Sequence, residues 1–529
     1  MIVPQDTSKR LTAFVNFPSQ YTQNLLLSAL TSTLPSLAIT THPAESTEEC
    51  PQLQWADYDL LYIDDIMSHP QDRLISSYIY RKTLIRKHML HNSIQEYLAK
   101  QRHRGVPSLL EKSIPRGWVI DIQFADELDE LMMDELYDLK DDLDANLEVE
   151  DVSKRKWFIL KPGMSDKAQG IRMFSTEEEL VSIFEGFEPE IDDEEDEDSD
   201  DENEAENAEE EGLTEEERQR IEKLAIQDFP DDEPFEPEPT TPMGKTDSGS
   251  DDDDLDTGVQ TSQLRHFVIQ EYVPRPLLID PREGHSSSSQ ALEGHKFHLR
   301  AYVMMSGTYK LYLARTMLAL FSDKKFAFSS KSTEEDESEL DLTAHLTNTC
   351  LQSEAAGSTG PAEELVKLYW ELKGQTALDQ EGSAQGKITE EWLESTFETV
   401  GRVVAETVTA AVNCGSFGLQ LLPNAFEIFG VDLLLSFPPS SEPKGTDLPA
   451  PTVTLLEFNA SPDFFQSGER LKYELGNMFK DVCRLVIAPF FDLDLISDED
   501  DESESDQPKT PSQADAWVLI GEEKTRGEW

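Results

Sequence analysis

The sequence predicts a fold of the α+β class, in which helices and strands are mixed. Hydrophobic periodicity predicts a strand over residues 12–17, a helix over 21–34 and a second strand over 58–63, a spacing typical of a small α/β unit. Much later, two apolar segments at 426–435 and 453–459 are separated by a loop rich in Pro and Ser. We therefore predict that these segments are neighbouring antiparallel strands.

The remaining elements follow from the same periodicities. Further strands are predicted at 157–160, 267–273, 295–303 and 309–313. Helices are predicted at 72–104, in an acidic stretch ending at 147, and at 363–372, 391–412 and 468–487. A short apolar patch at 517–520 is expected to pack back on the core.

Most of the net charge of −62 is confined to a few segments. Residues 188–211, 251–256 and 497–506 consist almost entirely of acidic and polar side chains. Such blocks cannot bury enough apolar surface to order themselves, so we expect long disordered acidic inserts. The whole chain has 529 residues, 38% of them hydrophobic, and is long enough for a sizeable core.

These features predict a domain organisation. An N-terminal α/β unit is predicted at 1–66. The main α+β domain is predicted in two parts, at 67–187, which begins with the basic helical region, and at 261–492. A disordered acidic insert at 188–260 separates the two parts, and an acidic tail covers 493–529. Low-complexity loops are predicted at 281–294, 353–360, 377–386 and 437–451.

The cysteines and the N-terminus indicate the cellular setting. Cys50, Cys350, Cys414 and Cys483 are far apart and lack CxxC spacing, which favours reduced thiols. The N-terminal residues 1–6 do not form a basic flank followed by an apolar core, as a secretory leader would, and no apolar run approaches the length of a membrane span. We expect a soluble cytoplasmic or nuclear monomer that binds neither membrane nor nucleic acid.

Basic residues are dense between positions 72 and 104 of this acidic protein. They are Arg73, Arg81, Lys82, Arg86, Lys87, His88, Lys100, Arg102 and Arg104. One interpretation is a solvated helix face. The other is a docking surface for an acidic partner, which could be the protein's own acidic insert.

A loop that could bind phosphate begins at Lys161. It follows the strand predicted at 157–160, and its residues 162–171 include Gly163 and Gly170. Small residues let backbone N–H groups approach a phosphate, and a lysine adds a compact charge. The alternative is a plain turn that needs the two glycines, since the loop lacks the GK[ST] ending of a Walker loop.

Two later strands carry candidate binding residues. Gln270 and Glu271 interrupt an apolar strand that could present backbone groups to an adenine, or could be an ordinary edge strand. On the strand at 295–303, Lys296, His298 and Arg300 alternate with apolar residues. We interpret this row as facing a phosphate or a carboxylate rather than solvent.

Further candidates lie close to predicted strand ends. Arg315 follows the strand at 309–313 and could reach the same pocket as Arg300. Asn348, in the segment 344–350, stands at a plausible ligand position, although it could equally be a helix cap.

Two oxygen-bearing side chains, Glu457 and Asn459, are two residues apart in a strand and should share one face. Leu456 and Phe458 should then point into the core. Asp432 lies on the neighbouring strand, and a buried carboxylate is costly unless it is paired or bound to a metal. Carboxylate and amide oxygens are the ligands that Mg²⁺ takes, so we predict a magnesium site.

Six motifs occur in an order that resembles the tubulin-tyrosine ligase family. They are Lys161 with Gly170-Ile171, Gln270-Glu-Tyr272, Lys296-Phe-His-Leu-Arg300, His345-Leu-Thr-Asn348, Phe429-Gly-Val-Asp432 and Glu457-Phe-Asn459. The resemblance covers about residues 63–486. It implies an ATP-grasp fold that uses ATP and Mg²⁺ to join an amino acid, tyrosine or glutamate-like, to a protein carboxylate through an acyl-phosphate. The implied partners are a free amino acid and an acidic acceptor such as a tubulin tail.

The resemblance also implies roles for individual residues. The residues that would contact the nucleotide are Lys161, Gln270, Glu271 and Tyr272 through their backbone, Lys296 and Asn348. Lys87 would face the active site. Arg300 and Arg315 would neutralise the charge of the transferred phosphoryl group. Asp432, Glu457 and Asn459 would bind Mg²⁺.

One departure from the family concerns His298, because the family usually has Lys-Phe-Asp where this chain has Lys296-Phe-His298. A carboxylate that could orient the amino acid or the acceptor is thus replaced by the imidazole of His298, and the choice of substrate can differ from that of the family. Two classes of function follow. The first is an active ATP-dependent ligase, and the second is a nucleotide-binding interaction or regulatory module that does not ligate.

Overall fold

A computed structural model describes residues 11–40, 51–122, 124–165, 169–187, 266–284, 291–328, 340–348, 351–352, 363–415, 418–438, 448–493, 495 and 516–522. These residues belong to one structural unit, built from residues 1–188 and 258–529. The predicted acidic insert and most of the acidic tail lie outside the described residues, as do the predicted loop at 353–360, parts of those at 281–294 and 437–451, Cys50 and Cys350. The domain boundaries stay a prediction.

Sixteen strands are described. They are β1 (Thr12–Asn16), β2 (Ala38–Thr40), β3 (Gln52–Ala56), β4 (Arg73–Ile75), β5 (Gly117–Asp121), β6 (Phe158–Pro162), β7 (Arg172–Phe174), β8 (His266–Glu271), β9 (His295–Ser306), β10 (Lys310–Lys325), β11 (Val366–Leu368), β12 (Thr376–Leu378), β13 (Ala384–Lys387), β14 (Phe426–Ser436), β15 (Thr452–Asn459) and β16 (Trp517–Glu522).

The described α-helices fall between these strands. They are α1 (Gln20–Thr33), α2 (Ile63–Ser68), α3 (Lys82–Ile85), α4 (Lys87–Arg104), α5 (Leu110–Ser113), α6 (Leu128–Met133), α7 (Tyr137–Leu147), α8 (Glu177–Glu185), α9 (Glu390–Cys414), α10 (Lys472–Val482) and α11 (Ala488–Phe491). None of the helices in the described part of the chain combines the length and the apolar character of a membrane span.

The N-terminal strands form a parallel sheet of order β2-β1-β3-β4, with α1 as the crossover between β1 and β2. The first predicted strand and helix are confirmed, but the strand predicted at 58–63 is wrong. The strand is β3, which ends before Asp57, whose side chain accepts a hydrogen bond from the Asp59 N–H and starts a 3₁₀ turn. Aspartate favours such local turns over continued strand pairing.

A second sheet, of order β5-β8-β6-β7, is antiparallel throughout. Aromatic side chains contribute to its core, with Phe158 against Phe174 within the sheet and Phe184 of α8 against Phe267. In this sheet Lys161 of β6 pairs with Val268 of β8, and its side chain reaches Gln270, two residues farther along β8.

The largest sheet has the order β11-β10-β9-β14-β15, with β16 also pairing to β10. The predicted antiparallel pairing of the strands around Asp432 and Glu457 is confirmed, since these two residues are register partners. Phe297, Leu299 and Ala301 of β9 enter the core together with α9, as their alternation predicts. Lys296, His298 and Arg300 therefore lie on the opposite face.

The pairing of β14 with β15 contains an irregularity after Asp432 and Glu457, where Leu433 pairs with Leu455 and Leu456 is the extra residue. Such a bulge resets the alternation of side chains. The prediction that Leu456 points into the core is therefore wrong: Leu456 is only partly buried and lines the same cavity as Glu457. Phe458 is buried in the core as predicted.

Two predicted helices are shorter than expected or absent. The segment predicted as a helix at 363–372 consists of two 3₁₀ turns around β11, because Val366 and Leu368 pair with β10. The basic segment at 72–104 divides into β4, α3 and α4. The predicted loop at 377–386 falls largely within the hairpin β12-β13, whereas the long helix predicted at 391–412 is confirmed as α9.

The C-terminal patch packs back on the core, as predicted, by adding β16 to the edge of β10. Trp517 is 4% exposed and its indole N–H donates to the Met478 carbonyl of α10 at 3.0 Å. On the same strand Leu519 is 48% exposed. The free thiols Cys414 and Cys483 are also buried.

We expect Trp517→Ala to lower the free energy of unfolding by about 3 kcal/mol or more, because it removes a buried aromatic side chain and its hydrogen bond. Leu519→Ala, on the same strand but exposed, should change this free energy by less than about 0.5 kcal/mol. Denaturant unfolding of the full chain measures both values. Equal effects of the two substitutions would show that β16 is not anchored through Trp517.

Candidate functional site

A cavity lies between the second sheet and the largest sheet. One part of its lining is apolar: Pro115, Ile159, Ile171, Val273, Leu346, Leu434 and Leu456. The other part is polar and charged: Lys161, Gln270, Glu271, Tyr272, Lys296, His298, His345, Thr347, Asn348, Asp432 and Glu457. Most of the predicted site residues therefore meet in one cavity.

Lys161 enters this cavity from β6. It is 7% exposed, and its ammonium group donates to Gln270 Oε1 at 2.9 Å. Burial lowers the pKa of Lys161 to about 8, and the nearby charge of Lys87 acts in the same direction. Because loss of water stabilises the neutral amine, an anion that entered the cavity would restore the charged form.

Gly163 and Gly170 at the two ends of the following loop are needed for different reasons. A Cβ at Gly163 would lie 2.5 Å from His88 Nδ1, so only glycine fits there. Gly170 has a φ of +70°, in the left-handed region that favours glycine. Residues 166–168 between them lie outside the described part, so phosphate binding by this loop stays a prediction.

Lys296 heads a directed chain of hydrogen bonds. Its ammonium group donates to the Tyr272 hydroxyl at 2.6 Å and to the His345 carbonyl at 2.8 Å. His345 Nε2 is 3.1 Å from the Ala327 carbonyl, which can only accept, so the neutral ring carries its proton on Nε2. His345 Nδ1 then accepts from the Tyr272 hydroxyl at 3.0 Å.

Burial shifts the pKa of all three groups in this chain of hydrogen bonds. Burial lowers the pKa of Lys296 to about 7, and the neighbouring charge of Lys161 lowers it further. Burial also lowers the pKa of His345 to about 3, so its ring is neutral. Tyr272 stays protonated because burial raises its pKa.

Asp432 is buried and accepts hydrogen bonds from two directions. The Arg300 guanidinium donates to both carboxylate oxygens, with Nη2 at 3.0 Å from Oδ2, and Asn459 Nδ2 is 3.3 Å from Oδ2. Burial alone would raise the pKa of Asp432, but Arg300 and His298 outweigh it and hold the pKa below its usual value. Gly430 lets Arg300 approach, since a Cβ there would be 3.1 Å from Arg300 Cδ.

Glu457 is paired with a cation from the N-terminal half of the chain. Lys87, the first residue of α4, places its ammonium group 3.3 Å from Glu457 Oε2 and donates to the Ser165 carbonyl at 3.2 Å. The Lys87 backbone N–H donates to the Gly163 carbonyl. Lys87 therefore faces the candidate site, as the resemblance implies, and joins α4 to the loop after β6.

The chemistry of these donors fits Mg²⁺. Asp432, Glu457 and Asn459 bring two carboxylates and an amide together on β14 and β15. Within the described residues no three or more His, Cys, Asp or Glu form a cluster that could hold a metal by themselves. A bound Mg²⁺ would need further oxygens, and phosphate oxygens usually complete its shell.

The structure does not bring Arg315 to this cavity, so the prediction that it reaches the pocket of Arg300 is wrong. Its guanidinium binds both oxygens of Glu394 on α9, at 3.0 and 3.1 Å, and lies 5.1 Å from the Phe397 ring. The register of β10 is irregular between Leu313 and Met317, which turns Arg315 to the α9 face. At the level of His298 and Arg300, β10 presents Leu320 and Leu318.

The strand end after Gln270 has limited capacity to bind an adenine through its N–H groups. The Glu271 N–H donates to the Arg116 carbonyl and the Tyr272 N–H to the Trp157 carbonyl, both at 2.8 Å. Recognition by the backbone of these two residues would therefore use their carbonyls. Asn348 is partly buried at the wall of the cavity.

Sequence reasoning assigned no role to His345, Thr347 or Leu456, which also line the cavity. His345 and Thr347 stand in a recognised motif, and both are buried although polar. Their place in that motif was the sequence feature from which a role for these two residues could have been predicted. Leu456 gave none, because the bulge that turns it cannot be read from alternation.

Three kinds of comparison with known proteins lead to one family. The model of the tubulin-tyrosine ligase family matches residues 65–495. A protein of Schizosaccharomyces pombe described as a probable tubulin–tyrosine ligase is 30% identical over 486 residues, which cover 92% of this chain and 94% of that protein. A protein of Saccharomyces cerevisiae, the probable tubulin–tyrosine ligase PBY1, is 31% identical over 488 residues, covering 90% of this chain and 51% of its own length. This chain thus spans about half of PBY1.

A solved structure has the same fold. It is the C-terminal domain of Pby1 from K. lactis, described as an ATP-grasp enzyme interacting with the mRNA decapping enzyme Dcp2. The TM-score is 0.56 with 26% sequence identity, and the match covers 97% of this chain and 100% of that chain. The ATP-grasp fold expected from the sequence is confirmed.

We expect anion binding in the cavity to take up protons at about pH 8. Lys296, with a pKa of about 7, is mostly neutral there without ligand, and a bound phosphate raises that pKa so that the amine gains a proton. Calorimetry of Mg-ATP binding in buffers of different ionisation enthalpy measures the uptake. Lys296→Gln should reduce it, whereas Lys154→Gln, which removes a side chain that is 75% exposed, should not. Equal uptake by Lys296→Gln and the unmodified chain would contradict this assignment.

Proposed function

The chain belongs to the tubulin-tyrosine ligase family, and on this premise we propose that it is an ATP-dependent ligase that joins an amino acid to a carboxylate of a protein acceptor. The family and the ATP-grasp fold support a ligase-type enzyme. The observation that carries the proposal is that Lys161, Lys296, Asp432 and Glu457 line one cavity. Arg300 of β9 is paired with Asp432 of β14. ATP-dependent ligation needs cations where phosphate charge gathers and carboxylates that hold a metal.

In the proposed reaction, an acceptor carboxylate oxygen attacks the γ-phosphorus of ATP, the bond to the β-phosphate oxygen breaks and ADP leaves. The amine of the amino acid then attacks the acyl carbon, inorganic phosphate leaves, and the amine gives up a proton. Lys161 and Lys296 bind phosphate oxygens, and Arg300 is paired with Asp432. Fixed donors in a site that excludes water stabilise the charge that develops.

Mg²⁺ would be held by Asp432, Glu457 and Asn459. When bound, it would supply positive charge that offsets the phosphate oxygens. Arg300 keeps Asp432 ionised, and Asn459 orients it through Nδ2, so that one carboxylate is ready to serve as a metal ligand.

The acceptor would be an acidic protein segment, with a tubulin tail as one candidate and tyrosine or a glutamate-like amino acid as the second substrate. The C-terminal turn of α4 supports this part of the proposal, because Arg102, His103 and Arg104 are exposed there. The basic surface is smaller than the sequence predicts. Arg73 and Arg81 are buried in ion pairs with Asp65 and Glu427.

A second candidate function is a nucleotide-binding module that acts through a protein partner without ligating. Two observations favour it. The second arginine assigned to the transferred phosphoryl group, Arg315, binds Glu394 on the other face of the sheet. The related Pby1 domain is described as interacting with a protein, the decapping enzyme Dcp2.

Labelled amino acids incubated with the chain, Mg-ATP and a panel of acidic acceptor peptides test the ligase proposal. We expect incorporation, and we expect Glu457→Gln to reduce it by about a hundredfold or more, since the amide keeps the shape but loses the charge that binds the metal. Glu469→Gln, at a side chain that is 75% exposed, is the matched control and should retain incorporation.

Two outcomes would contradict the ligase. Equal labelling by the unmodified chain and Glu457→Gln would remove the metal site from the mechanism. Binding of Mg-ATP without labelling by any amino acid or acceptor would favour the second candidate.

A further inference from the structure

His298 occupies a special position on β9, between Lys296 and Arg300 on the face that lines the cavity. It is 4% exposed. Its Nδ1 lies 2.5 Å from the Thr347 hydroxyl. Its Nε2 has no hydrogen-bond partner in the described part of the protein, and Asp432 Oδ1 is 3.6 Å away, beyond hydrogen-bond length.

The surroundings of the ring determine which nitrogen carries the proton. Asp432 accepts from Arg300 through both oxygens and from Asn459, so it is an ionised carboxylate. A bare lone pair on His298 Nε2 would face that negative charge and be repelled. The favoured tautomer therefore has N–H at Nε2, and the Thr347 hydroxyl donates to Nδ1.

An N–H donor buried without an acceptor is unfavourable, which indicates that a ligand atom satisfies it. The neighbouring side chains on the same strand face, Lys296 and Arg300, are both basic hydrogen-bond donors, and Lys161 lines the same cavity. A row of donors of this kind suits an anionic oxygen better than a neutral group.

We propose that His298, oriented by Thr347, determines ligand specificity by donating from Nε2 to a phosphate oxygen of the bound nucleotide. This inference rests on the nucleotide binding in the proposed function. The family usually has an aspartate at this position, and an ionised aspartate accepts hydrogen bonds only and would repel a phosphate. The change from aspartate to histidine thus converts this point of the cavity from an acceptor into a donor.

A series of ligands with increasing numbers of phosphates tests whether His298 binds a phosphate oxygen. Affinities for adenosine, AMP, Mg-ADP and Mg-ATP are measured by calorimetry for the full chain and for variants of His298 and Thr347. We expect His298→Asp to change the affinity for adenosine little. For every ligand that contains the phosphate contacted by His298, it should weaken binding by about tenfold or more. His298→Gln, which keeps an N–H donor, should recover most of the loss, and Thr347→Val should show a weaker form of it.

His295→Gln is the matched control. His295 is on the same strand, is 2% exposed and also has an Nε2 without a partner in the described residues, but its Nδ1 lies 3.0 Å from the Ser322 carbonyl and it does not line the cavity. The control reports what a histidine substitution in β9 does to the strand alone. Thermal melting of every variant checks folding, and the Gln and Val variants keep the test valid if His298→Asp does not fold.

The results separate this inference from the proposed function. An unmodified chain that binds none of the ligands contradicts the nucleotide site itself. If it binds them and His298→Asp weakens adenosine as much as Mg-ATP, phosphate recognition by His298 is wrong. If His298→Asp leaves all four nucleotide and nucleoside affinities unchanged but alters the affinity for the amino acid, His298 binds a substrate carboxylate instead, and the inference is also wrong.

Discussion

The buried ion pair between Arg300 and Asp432 is the interaction on which the cavity depends. It crosses from β9 to β14 at positions that are register partners, so the sheet itself brings the two charges together. Neither charge could be buried alone, because an unpaired ion in the interior is strongly destabilising. The pair in turn gives Asn459 an acceptor and gives His298 the negative neighbour that fixes its tautomer.

A second arginine and carboxylate pair lies at the start of β14 and has a different purpose. Glu427 is buried, which raises its pKa to about 7. It forms an ion pair with Arg81, whose Nε lies 2.9 Å from Glu427 Oε1, and it accepts a hydrogen bond from the Tyr78 N–H at 3.0 Å. Arg81 and Tyr78 belong to the segment that links the N-terminal sheet to α4. One strand thus uses one acidic residue to hold the N-terminal segment and another to build the site.

Sequence patterns could predict what depends on regular alternation. The row on β9 and the pairing of Asp432 with Glu457 follow from period-two strands. The errors occur where alternation is broken. Arg315 and Leu456 both lie at irregular points of strand pairing, and a bulge depends on the partner strand, which a local pattern does not contain. The contact between Lys87 and Glu457 joins residues far apart in the chain and was accessible only through the family resemblance.

The C-terminal strand has a consequence for biosynthesis. β16 pairs with β10 roughly 200 residues after that strand has been made, and long-range pairing of this kind is slow to form. During translation the edge of β10 that will receive Trp517 and its neighbours stays open, and open strand edges promote association between chains. In a nascent chain of this protein, the part of β10 that pairs with β16 therefore stays uncovered until residues 517–522 have left the ribosome.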